Sequence, residues 1–396
     1  MWPKFSKEEI DSVTNILSSG KVNYWTGEEC KKFEKEFSEY FGIKYSITLA
    51  NGTVALDIAL KALGIGEGDE VIVTSRTFIA SVSSIVNAGA IPIFCDVSKN
   101  SQNLDTSQIK RNLSSRTKAI LCVHLAGWPC EMDEIIDIAN ENNIFVIEDC
   151  AQSHGGKYKG KFLGSIGDIG CWSFCQDKIM TTLGEGGMVT TNNESLWRKM
   201  WAYKDHGKSY AAVYENEHPP GFKWLHESFG TNWRMTEVQG AVGRIQLKLL
   251  PEWTKKRNQN QARIWSIGSK LRGIRVPNFI CDSCDLEEKT SCCVHAAYKC
   301  YLFVQPEDLK PGWDRDRIIE EINLRGVDCF SGTCSEVYLE KAFDNTDYRP
   351  NERLPIAKEL GETSLMFLVH PTLNDQEIEK TCLALNEVMS LASDQK

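Results

Sequence analysis

Ile144-Phe145-Val146-Ile147-Glu148-Asp149 decides the fold. Four apolar residues run together without the polar alternation of a half-exposed strand, and the run stops at two acids. Such a stretch reads as a strand covered on both faces whose tip opens into a crevice. The pattern around it agrees. Met132 to Asn140, just upstream, has helical spacing, and the alternation extends back along the chain. It comprises strand Tyr45 to Ala50, helix Val54 to Leu63, strand Glu70 to Thr74, helix Ala80 to Asn87, strand Ile91 to Cys95, helix Thr106 to Asn112 and strand Ala119 to Val123. Strands alternating with helices at these lengths predict an α/β fold with a mostly parallel sheet flanked by helices.

Two helices are expected ahead of this block. Ser6 to Leu17 opens with a capping box, Ser6 and Glu9, and Glu28 to Phe41 carries Phe33, Phe37 and Phe41. Beyond it, Cys171 to Phe174 and Gly187 to Thr191 read as short strands, and Glu194 to Tyr203 as a helix. Tyr210 to Ser228 reads as loop. Met235 to Leu250 and the stretch past Pro251 are helical and bridge into a second unit. That unit runs strand from Tyr298, helix Arg315 to Arg325, an extended segment and helix Asp375 to Ser390. Residues 1–250, N-terminal helices included, are expected as a large domain, and residues 251–396 as a smaller α+β domain.

Composition narrows the function. With 396 residues and 42% hydrophobic content the chain can bury a substantial core. A net charge of -9 disfavours nucleic acid as a partner, because phosphate backbones need a basic field. No apolar run spans a bilayer and the first residues lack a signal-peptide core, so a cytoplasmic protein is expected. The fifteen cysteines are scattered without an export signal and are read as reduced thiols.

The chemistry concentrates at strand ends. Asn51-Gly52-Thr53 ends a strand and opens a helix, which makes either an ordinary N-cap or a phosphate cup of backbone N–H groups and a hydroxyl. Asp149 is either a solvated loop acid or a carboxylate facing a ring nitrogen. Gln152 is a loop amide or a donor to a ring hydroxyl, and Ser173 a strand hydroxyl or a second phosphate donor. Lys178 follows Trp172-Ser173-Phe174 and precedes the turn Gly184-Glu185-Gly186-Gly187. An amine past one strand tip and an acid at another suit a pyridine-aldehyde cofactor. The amine forms a Schiff base and the acid keeps the ring nitrogen protonated.

The ordered set Asn51-Gly52-Thr53-Val54-Ala55-Leu56, Gly66-Glu67-Gly68-Asp69-Glu70-Val71-Ile72-Val73, Thr77-Phe78, Gly89-Ala90-Ile91-Pro92, Glu148-Asp149-Cys150-Ala151-Gln152-Ser153-His154-Gly155, Gly164-Ser165-Ile166-Gly167-Asp168, Ser173-Phe174 through Lys178, Gly184-Glu185-Gly186-Gly187 and Gly230-Thr231-Asn232-Trp233-Arg234-Met235 resembles the DegT/StrS family of nucleotide-sugar aminotransferases. These are pyridoxal 5'-phosphate enzymes of the fold-type I class, and the resemblance covers almost the whole chain. It implies Lys178 as the Schiff-base lysine, Asp149 at the ring nitrogen and Gln152 at the ring hydroxyl. It also implies phosphate contacts from Gly52, Thr53 and Ser173, and Phe78 stacked on the ring. Asn232 would reach the phosphate of a neighbouring subunit's cofactor, so a homodimer with shared sites is implied.

The implied reaction moves an amino group from an amino acid, L-glutamate, to a nucleoside-diphosphate keto-deoxysugar, at C4 rather than C3, in amino-sugar and polysaccharide biosynthesis. Rival readings are a sugar dehydratase of the same family and a non-catalytic regulatory relative. Lys178, where the dehydratase branch has histidine, favours amino transfer, and the complete Lys178, Asp149 and Gln152 set disfavours a decayed enzyme. The chain departs from many relatives at Asn51, where they have Ser, and at Cys175-Gln176-Asp177, where they have a His-Pro pair and one further residue. No metal is expected; the Cys281, Cys284, Cys292, Cys293 and His295 segment is read as a reduced surface loop rather than a zinc site. His154 faces the cleft or caps its loop. Tyr24 and Trp25 pack at a turn or line a sugar pocket, and Cys329 to Phe343 is a candidate edge of the substrate entrance.

Overall fold

The computed structural model describes residues 2–279 and 292–394. In chain order its elements are α1 (Lys7–Ser19), α2 (Glu29–Phe41), β1 (Tyr45–Leu49), α3 (Gly52–Leu63), β2 (Glu70–Thr74), α4 (Ala80–Asn87), β3 (Ile91–Cys95), α5 (Thr106–Asn112), β4 (Thr117–Val123), α6 (Met132–Asn142), β5 (Phe145–Asp149), β6 (Lys157–Tyr158), β7 (Lys161–Phe162), β8 (Ile169–Ser173), β9 (Gly187–Thr191), α7 (Glu194–Lys204), α8 (Tyr210–Tyr214), α9 (Glu237–Gly268), β10 (Ile274–Arg275), β11 (Cys300–Val304), α10 (Arg315–Leu324), β12 (Cys329–Phe330), α11 (Pro355–Thr363), β13 (Ser364–Phe367) and α12 (Asp375–Ala392).

The main sheet has seven strands in the order β1-β9-β8-β5-β4-β2-β3. From β8 to β3 every pairing is parallel, whereas β9 runs antiparallel to both its neighbours. This is the mostly parallel sheet expected from the alternating pattern. Its central strands are covered on both faces, so β2 and β8 are buried at every position. On one face Phe33, Phe37 and Phe41, recurring every fourth residue of α2, meet Trp172 and Phe174. Gly243 of α9 admits this layer, since a Cβ there would lie 2.5 Å from the Phe33 ring. On the other face Ile47, Leu56, Val73, Val189 and Met200 share a second core. A four-stranded antiparallel sheet, β10-β11-β13-β12, packs with α10 and α12 around Leu302, Ile318, Leu365 and Leu385.

The N-terminal helix carries the expected capping box: Ser6 and Glu9 satisfy each other's backbone N–H, and Gly20 closes the helix in the left-handed region at φ 69°. Elsewhere the structure redraws the expected elements. Pro251 does not break the long helix: α9 runs through it, with Leu247 and Leu250 buried before it and Thr254 and Arg257 after. Interior proline removes a hydrogen bond and costs about 3 kcal/mol, which packing of this length offsets. The expected boundary after residue 250 therefore falls inside one helix. The region read as loop from Tyr210 contains α8, and the extended segment after Gly326 contains α11 and β13. Twelve described cysteines are free thiols, whereas Cys292 is disulfide-bonded and departs from the uniformly reduced reading. Cys281 and Cys284 lie outside the described residues. Among those residues, no helix is long and apolar enough to cross a membrane.

Candidate active site

The carboxyl ends of β1, β2, β4, β5 and β8 lead into one cavity of about 600 Å³. That edge is where open α/β sheets bind ligands. Gly52, Thr53, Phe78, Asp149, Gln152, Ser173 and Lys178 all line it, together with Ser81, Asp177 and Glu185. Asn232 does not; it is exposed and pairs through its backbone with Asp205.

Each wall follows from local structure. Asn51 caps α3, its Oδ1 accepting the Val54 N–H at 3.0 Å. The first-turn N–H groups of Gly52 and Thr53 have no intrahelical acceptor, and both residues line the cavity. A side chain at 52 would place its Cβ 2.6 Å from the Ser173 Cβ and 3.0 Å from its Oγ. Glycine is thus what lets the helix end and the Ser173 hydroxyl share one cup.

Asp149 ends β5, almost fully buried. Its Oδ2 accepts the Ser81 hydroxyl at 2.8 Å and its Oδ1 the Ala151 N–H at 3.0 Å. Burial pushes the carboxyl above its usual range, and the Ala151 N–H, the Ser81 hydroxyl and the Lys178 charge act against that shift. Gln152 is oriented by its carbonyl: Oε1 accepts the Ala126 N–H at 2.8 Å, which leaves the amide NH2 as the donor. Ala126 itself is held in the left-handed region at φ 56°.

Lys178 lies on the loop between β8 and β9, its side chain 17% exposed and its Nζ 4.0 Å from Asp177 Oδ1. The Trp2 indole N–H donates to the Lys178 carbonyl at 2.8 Å. Burial would raise the Asp177 carboxyl, but the Lys178 charge and the Tyr298 hydroxyl outweigh it and lower its pKa. Phe78 stands 65% exposed at the cavity, so its ring is not part of the core.

Below Asp149 a buried network fixes the strand tips. Glu148 accepts the N–H groups of Gly164, Ile166 and Gly167 and pairs with His124 Nε2 at 3.0 Å. Burial raises the Glu148 carboxyl, yet these partners hold its pKa below the usual value. The His124 backbone N–H reaches the Asp149 carbonyl. Among the described residues His124, Glu148 and Cys150 also form a grouping with metal-type atoms within 4.8 Å of one another. His124 Nδ1 already accepts the Cys130 N–H and Nε2 pairs with Glu148, so both of its ring nitrogens are taken by protein partners.

The remaining expected residues lie elsewhere. His154 is buried between Trp172 and Phe174 rather than lining the cavity, with its pKa lowered to about 3 by burial and the nearby charges of Lys178 and Arg257. Tyr24 is core, and the Trp25 indole donates to Asp205 at 2.6 Å. Cys329 to Phe343 contributes no lining residue. His295 is buried, its Nδ1 accepting the Ala297 N–H. Sequence reasoning missed Ser81 and Tyr298, whose partners are remote in the chain, and Asp177; Glu148, beside Asp149, and Asp177, beside Lys178, had a local signal.

Two sheets on this plan, with an acid, an amide and an amine at the carboxyl edge of the larger one, define the fold-type I aminotransferase architecture. A family model described as the DegT/DnrJ/EryC1/StrS aminotransferase family matches residues 3–386, and the chain belongs to that family. Its aminotransferases depend on pyridoxal phosphate. The chain is similar to the GDP-perosamine synthase of Escherichia coli O157:H7, 41% identical over 257 residues, which is 65% of this chain and 67% of that one. It is 40% identical over 256 residues to the dTDP-3-amino-3,6-dideoxy-alpha-D-galactopyranose transaminase of Aneurinibacillus thermoaerophilus, covering 65% and 67% of the two chains. The X-ray structure of an aminotransferase from Psychrobacter cryohalolentis superposes with a TM-score of 0.94 at 59% identity, over 99% of this chain and 98% of the other.

Proposed function

We propose that this enzyme binds pyridoxal 5'-phosphate in the cavity at the carboxyl edge of the main sheet and transfers an amino group from L-glutamate to a nucleoside-diphosphate keto-deoxysugar. The observation that carries the reading is the convergence on one cavity of a capped helix end, a buried carboxylate, an oriented amide and an amine. The donor set fits the cofactor. Gly52, Thr53 and Ser173 offer N–H and hydroxyl groups to a phosphate, and Gln152 offers NH2 to a ring oxygen. Phe78 offers an unpacked ring face. Asp149, under-solvated and held by two donors, gains from a cationic partner such as a protonated ring nitrogen. Bound there, the cofactor supplies the electron sink for amino transfer.

The residues of the chain then divide the remaining work. Asp149 keeps the proton on the ring nitrogen. Lys178 anchors the cofactor through Nζ, and afterwards its freed amine holds and moves the proton at the donor carbon. The Trp2 bond to the Lys178 carbonyl orients the loop that carries the amine. A nucleotide sugar as the acceptor is supported by the names of the similar proteins, a GDP-perosamine synthase and a dTDP-amino-sugar transaminase. For this chain we take C4 over C3 as the acceptor carbon; offering the enzyme a 4-keto and a 3-keto nucleotide sugar separates the two.

The same reading makes the working form a cytoplasmic homodimer, with exposed Asn232 directed at the partner's cofactor phosphate. It divides the chain into a large domain, 1–250, built on the main sheet and a smaller one, 251–396, built on the antiparallel sheet, with α9 shared. Borohydride reduction in the presence of pyridoxal phosphate tests the core of the proposal. The cofactor mass should appear on the peptide containing Lys178, and Lys178→Ala should lose both that label and turnover. A label on another lysine, or turnover that survives the substitution, refutes it.

A further inference from the structure

Tyr298 touches the site from outside the cavity at two points. Its hydroxyl donates to Asp177 Oδ2, and the other oxygen of that carboxylate lies 4.0 Å from Lys178 Nζ. The Lys178 ammonium also sits 5.1 Å from the centre of the Tyr298 ring. Its backbone N–H donates to the Ala126 carbonyl at 2.9 Å, and the Ala126 N–H holds Gln152 Oε1 at 2.8 Å. One residue just ahead of β11 thus stands behind both the amine and the oriented amide. Tyr298 is 6% exposed, so its hydroxyl does not have bulk water as an alternative partner.

We propose that Tyr298 and Asp177 are positioning residues for Lys178: the phenol fixes the Asp177 carboxylate beside the amine, which gives the charged form of Lys178 a stationary counter-ion inside the cavity. The inference deepens the assignment of Lys178 above and rests on it for its bearing on catalysis. Whenever Lys178 is a free amine it must take up and return a proton without swinging into solvent. A carboxylate on its own exposed loop would be a mobile partner, since the Asp177 side chain is 57% exposed. The phenol removes that mobility. The charges around the amine make the carboxylate necessary. Lys299, whose ammonium lies 4.7 Å from the opposite partner of this cluster, the Tyr298 ring, and Arg257 of α9 add positive charge. His154 is neutral and buried, and Asp149 is the other acid that the Lys178 charge reaches. Burial holds the Lys299 amine down at about 8, with Asp177 pulling it up and Arg257 and Lys178 pushing it further down. Asp177 therefore serves two lysines.

The test is the reactivity of individual amines in the cofactor-stripped protein, by competitive acetylation with acetic anhydride at neutral pH and peptide mass spectrometry, with exposed Lys44 as internal standard. Asp177→Asn removes the counter-ion that favours the ammonium, so Lys178 should acetylate about tenfold faster relative to Lys44, the small end of the range for an opposite charge at this distance because Asp177 is half exposed. Lys299 should speed up with it. Tyr298→Phe should give part of that increase and add nothing in an Asp177→Asn background, whereas Asp177→Glu should restore the wild-type rate. An unchanged Lys178 rate in Asp177→Asn, or additive increases from the two substitutions, overturns the proposal. The measurement needs no bound cofactor. Failure of the borohydride label at Lys178 would refute the cofactor assignment alone, and the acetylation rates would still decide the positioning role.

Discussion

Removing one hydroxyl beneath the cavity should make the stability of this enzyme depend on pH in a calculable way. Ser81→Ala deletes the 2.8 Å donor to Asp149 Oδ2. It also deletes the Ser81–Thr77 hydroxyl contact at 2.8 Å, which carries no charge. A hydrogen bond to a charged group contributes about 1.5–3 kcal/mol and a neutral one about 0.5–1.5 kcal/mol. The excess for the charged form, about 1.3 kcal/mol, is lost with the hydroxyl and raises the Asp149 pKa further. Burial already holds that pKa above its unfolded value. For a carboxyl raised on folding, the favourable contribution is complete below the unfolded pKa and disappears as pH climbs through the folded one. The substitution moves the folded pKa higher still. Counting both lost bonds, the stability difference between wild type and variant should therefore be about 2 kcal/mol when Asp149 is protonated in both. It should grow to about 3.3 kcal/mol once pH exceeds the variant's pKa. Urea unfolding of cofactor-free protein, followed by tryptophan fluorescence between about pH 4 and about pH 8, reads this directly. A difference that stays constant across pH would mean that the hydroxyl does not support the charged carboxylate, and the account of how Asp149 is held would fail.

Phe78→Ala should leave urea stability within about 0.5 kcal/mol, because the ring is 65% exposed. Affinity for pyridoxal phosphate, followed by fluorescence quenching, should nevertheless fall about tenfold with the lost stacking; lost stability with unchanged affinity would instead make Phe78 a packing residue. Glu148→Gln should cost about 3 kcal/mol at neutral pH, since the amide keeps one accepting oxygen but turns an NH2 on the two donors that met the other, at a fully buried position. The Glu148 pKa is lowered on folding, so its contribution is present above the unfolded pKa and fades as pH falls through the folded one. The deficit should therefore narrow in acid, and a variant as stable as wild type at neutral pH would contradict the network described.

The parts of this fold that were legible in the sequence are those set by neighbours in the chain. The apolar run from Ile144 to Ile147 announces a strand covered on both faces, and β5 is buried from Val146 to Asp149. Asn51, Gly52 and Thr53 announce a capped helix end because capping is a three-residue matter. The helical pattern read on both sides of Pro251 is one helix, α9, because packing along it overrides the local preference of proline. The shell behind the site was hidden because its bonds join distant residues. Ser81 and Asp149 are 68 positions apart, and Tyr298 and Asp177 are 121 apart. Nothing near Ser81 in the chain marks it among the other serines. His154 sits in a motif full of site residues, yet the Trp172 and Phe174 rings take it out of the cavity.

The position of Lys178 follows from topology more than from its neighbours. In a parallel sheet each connection carries the chain from the carboxyl edge back to the opposite edge before the next strand starts. The segment from Asp149 to β8 does this, and so the carboxyl ends of β5 and β8 lie side by side, with Asp149 paired to Cys171. The next strand breaks the rule: β9 is antiparallel to β8, Ser173 facing Gly187. A connection between antiparallel neighbours need not leave its edge. Everything between Ser173 and Gly187, the amine included, is therefore held over the carboxyl ends of the parallel strands. Because β9 pairs antiparallel with β1 as well, Gly187 also meets Leu49, and the end of β1 delivers Asn51 and the start of α3 to the same edge. One reversed strand thus brings the helix-end cup and the lysine loop to the tip of β5. Had β9 been parallel, a crossover would have had to carry the loop away, and the acid at 149 would face no amine.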